Sequence, residues 1–138
     1  MKAMEDQQHE FVLILAGYPR EMDHFLSLNP GLPSRFPTSL TFKDFSQHEL
    51  LTLLEMMVKE REYECSREAL YKMKLHFEKT GRQGLRHFSN GRYVRNCVEK
   101  AIRMHAVRVM KQRKDKDRAS LLRLEAEDFN VDEIESGL

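Results

Sequence analysis

Arg35 is the residue of this chain whose type and position most clearly indicate chemistry. It lies near the end of a loop-like run, Asn29-Pro30-Gly31-Leu32-Pro33-Ser34-Arg35-Phe36-Pro37. A single guanidinium in such a loop suits a phosphate partner, because its planar fork binds two phosphate oxygens and keeps its charge. None of the 138 residues forms a G-x-x-x-x-G-K-[ST] phosphate loop. We therefore expect another polypeptide to hold any nucleotide that Arg35 contacts.

Two strand patterns and one helix pattern surround this loop. Residues 11–16 are continuously apolar before a glycine and a proline, which predicts a strand buried on both faces of a parallel sheet. A second short strand is predicted at 39–42, and a helix at 20–28. Two such strands joined through a helix cannot bury both faces by themselves. We expect residues 1–44 to be a strand, helix, loop (29–37) and strand piece of a larger α/β domain.

From Ser46 onward the apolar residues follow a helical period, and Glu49 three residues later completes a capping box. This change predicts a second, helical domain at residues 45–138. Its expected amphipathic helices run from Ser46 to about Tyr63, from Ser66 to the glycines at 81 and 84, and from about Gly91, capped by Ser89 or Asn90, to Lys111. Such helices can pack as a small bundle around one core. The tail after Ala119 is predicted to be weakly defined, with a last helical turn near 125–129.

Composition excludes several classes of protein. The formal net charge is +1, so the chain as a whole favours neither nucleic acid nor an acidic membrane surface. The longest apolar run is too short to span a bilayer, which predicts a cytoplasmic protein. Cys65 and Cys97 lie in helical patterns and are expected to be reduced core residues, with a disulfide or metal as the alternative. The six histidines show no zinc-binding spacing, so no metal site is predicted.

Four blocks of sequence resemble AAA+ ATPases of the stage V sporulation protein K family, to which red-type rubisco activases are related. The blocks are residues 12–18, 21–26, 29–37 and 88–96, and both their order and their spacing fit. The resemblance implies a mainly α chain: the helical lid bundle of an AAA+ ATPase, preceded by the last strand-helix-strand piece of its α/β nucleotide domain. It weakens after Lys111.

The resemblance also implies roles for individual residues. Arg35 matches the arginine finger, which reaches in trans into the nucleotide site of the neighbouring subunit. Arg92 matches the second sensor, at a helix start where free N–H groups favour an anion, and Arg95 is the competing choice. Tyr18 lies where the first sensor is usually an Asn or Thr, so a structural turn is the alternative there.

The family implies ATP and Mg²⁺ in the full-length parent, with neither bound tightly by this chain alone. It implies a hexameric ring of like subunits that remodels a protein client, with no nucleic acid and no membrane as partner. Without a phosphate loop and a magnesium-binding Asp-Glu pair, the chain alone is predicted to be inactive. Residues 129–133 only mimic that pair, because no apolar strand precedes them.

Structural alternatives remain for each of these interpretations. Arg35 could be an exposed loop residue paired with Asp44, and Arg95 could form an i, i+4 pair with Glu99. The whole chain could instead be a self-standing helical protein-interaction module. A third possibility is nucleic-acid binding through the run 111–118, although its alternating charges and lack of aromatic residues favour a solvated helix end.

Overall fold

The computed structural model describes residues 12–83, 90–112 and 117–131, without the side chains of residues 82 and 83. The chain divides into two compact units between Phe42 and Lys43. The first unit holds helices α1 (Pro19–Ser27) and α2 (Leu32–Arg35). The second holds, in order, α3 (Gln47–Glu60), β1 (Glu64–Cys65), α4 (Arg67–Gln83), α5 (Asn90–Lys111), α6 (Arg118–Leu122), β2 (Arg123–Leu124) and a 3₁₀ turn (Ala126–Asp128).

The first unit lacks the strands that its sequence predicts. Residues 12–16 and 39–42 have no regular secondary structure, and Phe11 lies outside the described residues. The side chains of Val12 and Ile14 are 88% and 81% exposed. A strand of this kind needs neighbouring strands to satisfy its backbone groups and to cover its apolar faces. The described residues of this unit provide no such neighbours, and the predicted strands are therefore not formed.

Helix α1 does form in the first unit, one residue earlier than predicted. Its first position is Pro19, whose fixed φ suits a helix start and whose missing N–H costs nothing there. The following loop contains the single-turn helix α2, which begins at the buried Leu32 and ends at Arg35. The predicted loop at 29–37 is thus partly helical.

In the second unit, the predicted capping box starts α3. The Ser46 hydroxyl accepts a hydrogen bond from the Glu49 N–H at 3.2 Å, and the Glu49 carboxylate accepts one from the Ser46 N–H at 2.7 Å. The backbone hydrogen bond with Ser46 lowers the pKa of Glu49. Leu50, Leu54 and Val58 form the buried face of the helix. The prediction of this helix start is confirmed.

Replacing Ser46 by alanine should lower the free energy of unfolding by about 1 kcal/mol, because it removes the N-cap acceptor of α3. Urea denaturation followed by circular dichroism measures this change. Thr52→Ala is the matched control, since the Thr52 hydroxyl donates to the His48 carbonyl within the same helix and the loss of such a bond should cost little. A Ser46→Ala loss no larger than that of the control would contradict the capping role.

Helices α4 and α5 pack with α3 around one core. The Ser66 hydroxyl accepts a hydrogen bond from the Ala69 N–H at 3.2 Å and so caps α4, as predicted. Helix α4 continues past Gly81 to Gln83, because one glycine weakens a helix without ending it. The loop predicted from Gly81 to Ser89 is therefore wrong at 81–83, and residues 84–89 lie outside the described residues. The core residues are Leu50, Leu54, Val58, Ala69, Met73, Phe77, Tyr93, Val94, Cys97, Val98, Ala101, Leu124 and Phe129.

The last two core residues belong to the tail that the sequence predicts to be weakly defined. Strand β2 pairs in parallel with β1, with Cys65 opposite Leu124, and the Ser66 N–H donates to the Leu124 carbonyl at 2.9 Å. Leu124 and Phe129 are fully buried. Residues 118–131 are therefore an integral part of the bundle. The weak prediction arose because each piece of this tail is too short to show a periodic pattern.

Candidate functional site

Arg35 lies at the C-terminal end of α2, on a loop that its own contacts hold. Its Nη1 donates a hydrogen bond to the Gly31 carbonyl at 3.3 Å, and the side chain is half-buried. The Ser34 hydroxyl donates to the same carbonyl at 3.0 Å. Leu32 anchors the turn as its one buried residue. The guanidinium is thus presented from an ordered turn, which limits the conformational entropy lost when it binds a ligand.

Arg92 and Arg95 lie in the first two turns of α5, and both side chains are exposed. Residues three apart share a helix face, so the structure brings these two guanidinium groups to one side of the helix start. The first N–H groups of a helix have no intrahelical acceptors, and the helix dipole adds positive potential there. Two arginines beside such a start have the donors and the charge that a phosphate group requires.

The predicted alternative for Arg95, an ion pair with Glu99, is not formed. Glu99 instead contacts Arg61 at 3.4 Å and Arg103 at 3.9 Å. Within residues 12–83, 90–112 and 117–131, no acidic side chain lies within ion-pair distance of either Arg92 or Arg95. Within these ranges, the Arg92 and Arg95 guanidinium groups are therefore accessible to an external anion.

Tyr18 precedes α1 in extended conformation, and its side chain is exposed. Its carbonyl accepts a hydrogen bond from the Met22 N–H at 2.9 Å, which starts the helix. This backbone role matches the structural-turn alternative. Tyr18 belongs to the first unit, whereas Arg92 and Arg95 belong to the second.

The start of α5 is attached to the residues that precede α3, a feature that the sequence alone did not reveal. The Asn90 amide donates a hydrogen bond to the Asp44 carboxylate at 2.6 Å, and its carbonyl oxygen accepts one from the Phe45 N–H at 3.3 Å. The sequence predicts Ser89 or Asn90 as the cap of this helix, and Ser89 lies outside the described residues. The Asn90 side chain joins two segments that are distant in sequence, and only the folded chain brings them together.

A second polar cluster that the sequence did not reveal holds the tail against α5. The Arg108 guanidinium donates to both carboxylate oxygens of Asp128 at 2.8 Å, to the His105 ring at 2.9 Å and to the Arg123 carbonyl at 3.2 Å. The hydrogen bond to Asp128 raises the pKa of Arg108. Asp128 and His105 are buried. Because a buried carboxylate requires such partners, we assign this cluster a structural role.

The remaining candidates do not build a chemical site in the described part of the chain. Cys65 and Cys97 are free thiols, and burial raises the pKa of each to about 12. Such thiols are protonated at neutral pH and are poor nucleophiles. Phe129, in the segment that mimics a magnesium motif, is a core residue, and residues 132 and 133 lie outside the described ranges. The same holds for 113–116 of the basic run.

Neither a metal-binding cluster nor a membrane-spanning helix is found among the described residues. No group of three or more His, Cys, Asp or Glu side chains lies close enough to bind a metal ion. No helix among these residues combines the length and the apolar character that crossing a bilayer requires.

The described part of the second unit is a bundle of α3, α4 and α5, completed by a packed tail and carrying two exposed arginines at the start of α5. The AAA lid domain family model matches residues 46–136, more than half of the chain. The chain belongs to this family. The match begins at the Ser46 cap and includes the tail, in agreement with the burial of Leu124 and Phe129.

Similar proteins come from bacteria and from algae. Stage V sporulation protein K of Bacillus subtilis is 48% identical over 139 residues, which covers 99% of this chain and 42% of that protein. A chloroplastic ribulose bisphosphate carboxylase/oxygenase activase of Cyanidioschyzon merolae is 33% identical over 135 residues, covering 94% and 43%. The CfxQ homolog of Galdieria sulphuraria is 35% identical over 130 residues, covering 94% and 42%.

These similarities confirm the resemblance to the stage V sporulation protein K family and to rubisco activases. The chain spans less than half the length of these relatives. It therefore corresponds to one segment of such a protein.

Proposed function

We propose that this chain provides two cationic elements of an AAA+ ATPase ring. Arg35 acts as the arginine finger toward the nucleotide of a neighbouring subunit, and Arg92 acts as the second sensor toward the nucleotide of its own subunit. The observation that carries the proposal is the exposed Arg92 at the first turn of α5 in a lid-family bundle. The ring is proposed to be a hexamer that remodels an unidentified protein client.

The two arginines are suited to different tasks. Arg35 is half-buried on a short ordered turn, with its guanidinium bonded to the Gly31 carbonyl, and in the proposed ring it extends from this turn into another subunit's site. Arg92 lies in the first turn of a 22-residue helix whose buried face belongs to the lid core. A displacement of the backbone at Arg92 therefore moves the bundle with it. A lid that rotates when this arginine meets or loses a phosphate is a hinge closure around a ligand.

ATP with Mg²⁺ would supply the phosphoryl group whose transfer drives such a ring. The donors of this chain fit its terminal phosphate, because arginine binds phosphate oxygens in pairs and stays charged. The 138 residues contain no phosphate loop, so we expect them to be inactive without the rest of an ATPase subunit. We place the protein in the cytoplasm, a reducing compartment in which free thiols such as Cys65 and Cys97 are usual.

The proposal can be tested in a chimera in which residues 1–138 replace the aligned segment of the Bacillus subtilis relative. In this chimera, Arg92→Ala should lower ATP turnover about 10²- to 10³-fold, because one preorganised donor to the developing charge is lost. Arg95→Ala is the variant of the competing candidate, on the same helix face and also exposed, and should change turnover less than about threefold if Arg92 is the sensor. Steady-state phosphate release measures both effects.

An inactive wild-type chimera that assembles correctly would contradict the proposed ATPase role. Equal turnover in the Arg92→Ala and wild-type chimeras would remove Arg92 as the sensor, and a large loss in Arg95→Ala alone would transfer the role to Arg95.

A self-standing interaction module is the second candidate, because the first unit exposes large apolar side chains such as Val12, Ile14 and Phe42. Neighbouring strands of a nucleotide domain would cover the same residues, so this exposure also fits the AAA+ proposal. Saturable binding of a protein by the chain alone, unaffected by nucleotide, would favour the module. Binding that falls steeply with salt would instead indicate nucleic acid.

A further inference from the structure

The side chain of Asn90 joins the start of α5 to the point at which the chain enters the second unit. Its amide donates to the Asp44 carboxylate at 2.6 Å, while its carbonyl oxygen accepts from the Phe45 N–H at 3.3 Å. The second unit begins at Lys43. Asp44 and Phe45 thus immediately follow the unit boundary and precede the Ser46 cap of α3, whereas Asn90 lies two residues before Arg92.

Asparagine meets two requirements of this position at once. The φ angle of Asn90 is +21°, in a region that most side chains avoid and that asparagine tolerates. Its short amide also offers a donor and an acceptor side by side, which aspartate, alanine and glycine do not. Both hydrogen-bonding atoms of the amide are engaged by neighbouring residues of a single segment.

Close packing at Gly91 provides a second contact between the same parts. A Cβ atom at Gly91 would lie 3.7 Å from Leu53 Cδ2 and 3.9 Å from Phe45 Cε2, so the helix start lies directly against α3 and the Phe45 ring. Polar and apolar contacts therefore attach the first turn of α5 to the entry segment 44–45. Arg92 is carried on the turn that these contacts hold.

We propose that Asn90 is a positioning residue for Arg92, which makes the entry segment and the cationic helix start move as one body. The inference rests on the proposed role of Arg92 as the sensor. Its mechanical consequence is specific: a displacement of Arg92 by a phosphate is transmitted to the residues beside the unit boundary rather than absorbed by a loose connection. Loss of the attachment would leave Arg92 present but misplaced.

A reversal of the hydrogen bond tests this proposal. Asn90→Asp places two carboxylates against each other and breaks the contact with Asp44. The double variant Asp44→Asn, Asn90→Asp restores a donor and an acceptor with the direction reversed, and the Phe45 N–H keeps a carboxylate acceptor. Asp44→Asn alone keeps an acceptor facing Asn90 and should behave as wild type.

In the chimera, we expect Asn90→Asp to lower kcat about tenfold, since misplacing a catalytic group by a fraction of an ångström has effects of this order. The double variant should return to within about twofold of wild type, as expected where a reciprocal pair compensates. KM and kcat are measured separately from ATP titrations. The melting temperature of each 138-residue chain is measured alongside.

Asp117→Ala is the control for a purely structural effect. Asp117 caps α6 by accepting a hydrogen bond from the Ser120 N–H at 2.9 Å, at a helix that does not carry Arg92. We expect it to lower the melting temperature about as much as Asn90→Asp, by roughly 4–8 °C for the loss of about 1 kcal/mol, and to leave kcat unchanged.

The outcomes separate this inference from the proposed function. If Arg92→Ala lowers turnover but Asn90→Asp lowers kcat no more than Asp117→Ala does, Asn90 is structural and only the present inference fails. The same conclusion holds if the double variant regains its melting temperature without regaining kcat. If Arg92→Ala has no effect, the sensor role itself fails, and the positioning role fails with it.

Discussion

Arg35→Ala should lower the ATP turnover of the chimera by about 10³-fold or more, the lower limit for the loss of an arginine finger in related phosphoryl-transfer systems. The guanidinium would stabilise charge that develops on the transferred phosphoryl group, and no other residue of the α2 turn carries a positive charge. Arg35→Lys should recover little, because an ammonium group cannot make the paired, planar contact. The rate of phosphate release per subunit is measured for the wild-type, Arg35→Ala and Arg35→Lys chimeras.

The control for Arg35 is Arg20→Ala. Arg20 is an exposed arginine at the start of α1 in the same unit, and its loss should leave turnover within about twofold of wild type. The melting temperature of each variant is measured alongside, so that loss of a chemical role is distinguished from loss of the local hydrogen bond between Arg35 Nη1 and the Gly31 carbonyl at 3.3 Å. Unchanged turnover in Arg35→Ala would eliminate the finger.

Action in trans predicts a further result from mixed rings. Arg35→Ala subunits retain a nucleotide site, whereas subunits with an inactivated phosphate loop retain Arg35. Mixing the two inactive proteins should therefore restore part of the activity at the interfaces where an intact site meets an intact finger. Activity no greater than the sum of the separate proteins would place Arg35 in its own subunit's site and contradict the proposed ring contact.

Phe129→Ala should lower the free energy of unfolding by about 3–5 kcal/mol, the usual cost of deleting a buried phenyl ring. Phe129 is fully buried in the core that α3, α4 and α5 share. Its neighbour Asp128 is held by Arg108, and the Lys72 ammonium donates to the Ala126 carbonyl at 3.0 Å. The tail around the ring is therefore fixed in place, and it cannot easily shift to fill the cavity that loss of the ring would leave. Urea denaturation monitored by circular dichroism measures the loss.

Leu121→Ala provides the comparison for Phe129. Leu121 is also an apolar residue of the tail, but its side chain is 39% exposed, so its truncation should cost about 1 kcal/mol or less. Similar small losses in both variants would mean that the tail is not part of the cooperative core.

The start of α3 illustrates how much of the lid was predictable from the sequence. The Ser46–Glu49 box involves residues three apart, and the apolar face of the helix repeats within four residues. Such short-range interactions depend on residues that are close together in the sequence, so the helix and its buried face were predicted correctly. The long helix α5 was predictable for the same reason, with Arg92 near its start.

The bidentate Arg108–Asp128 pair marks the limit of that reasoning. The two residues are twenty positions apart, and nothing in their local sequence distinguishes them from surface charges. The two-residue strands β1 and β2 could not be predicted either, because a strand of that length shows no alternation of apolar and polar residues. The opposite kind of error concerns the strand predicted at residues 11–16. Its described part, residues 12–16, is not a strand, because such a segment needs neighbouring strands to pair with.

Local sequence thus determined the helices of this protein, their caps and the residue types that could bind phosphate, because these depend on near neighbours along the chain. Tertiary structure decided that the tail completes the core, that Glu99 contacts Arg61, and that Asn90 links the start of α5 to the entry segment. Each of those outcomes depends on groups brought together from distant positions, and only the packing of the whole bundle sets which of them meet.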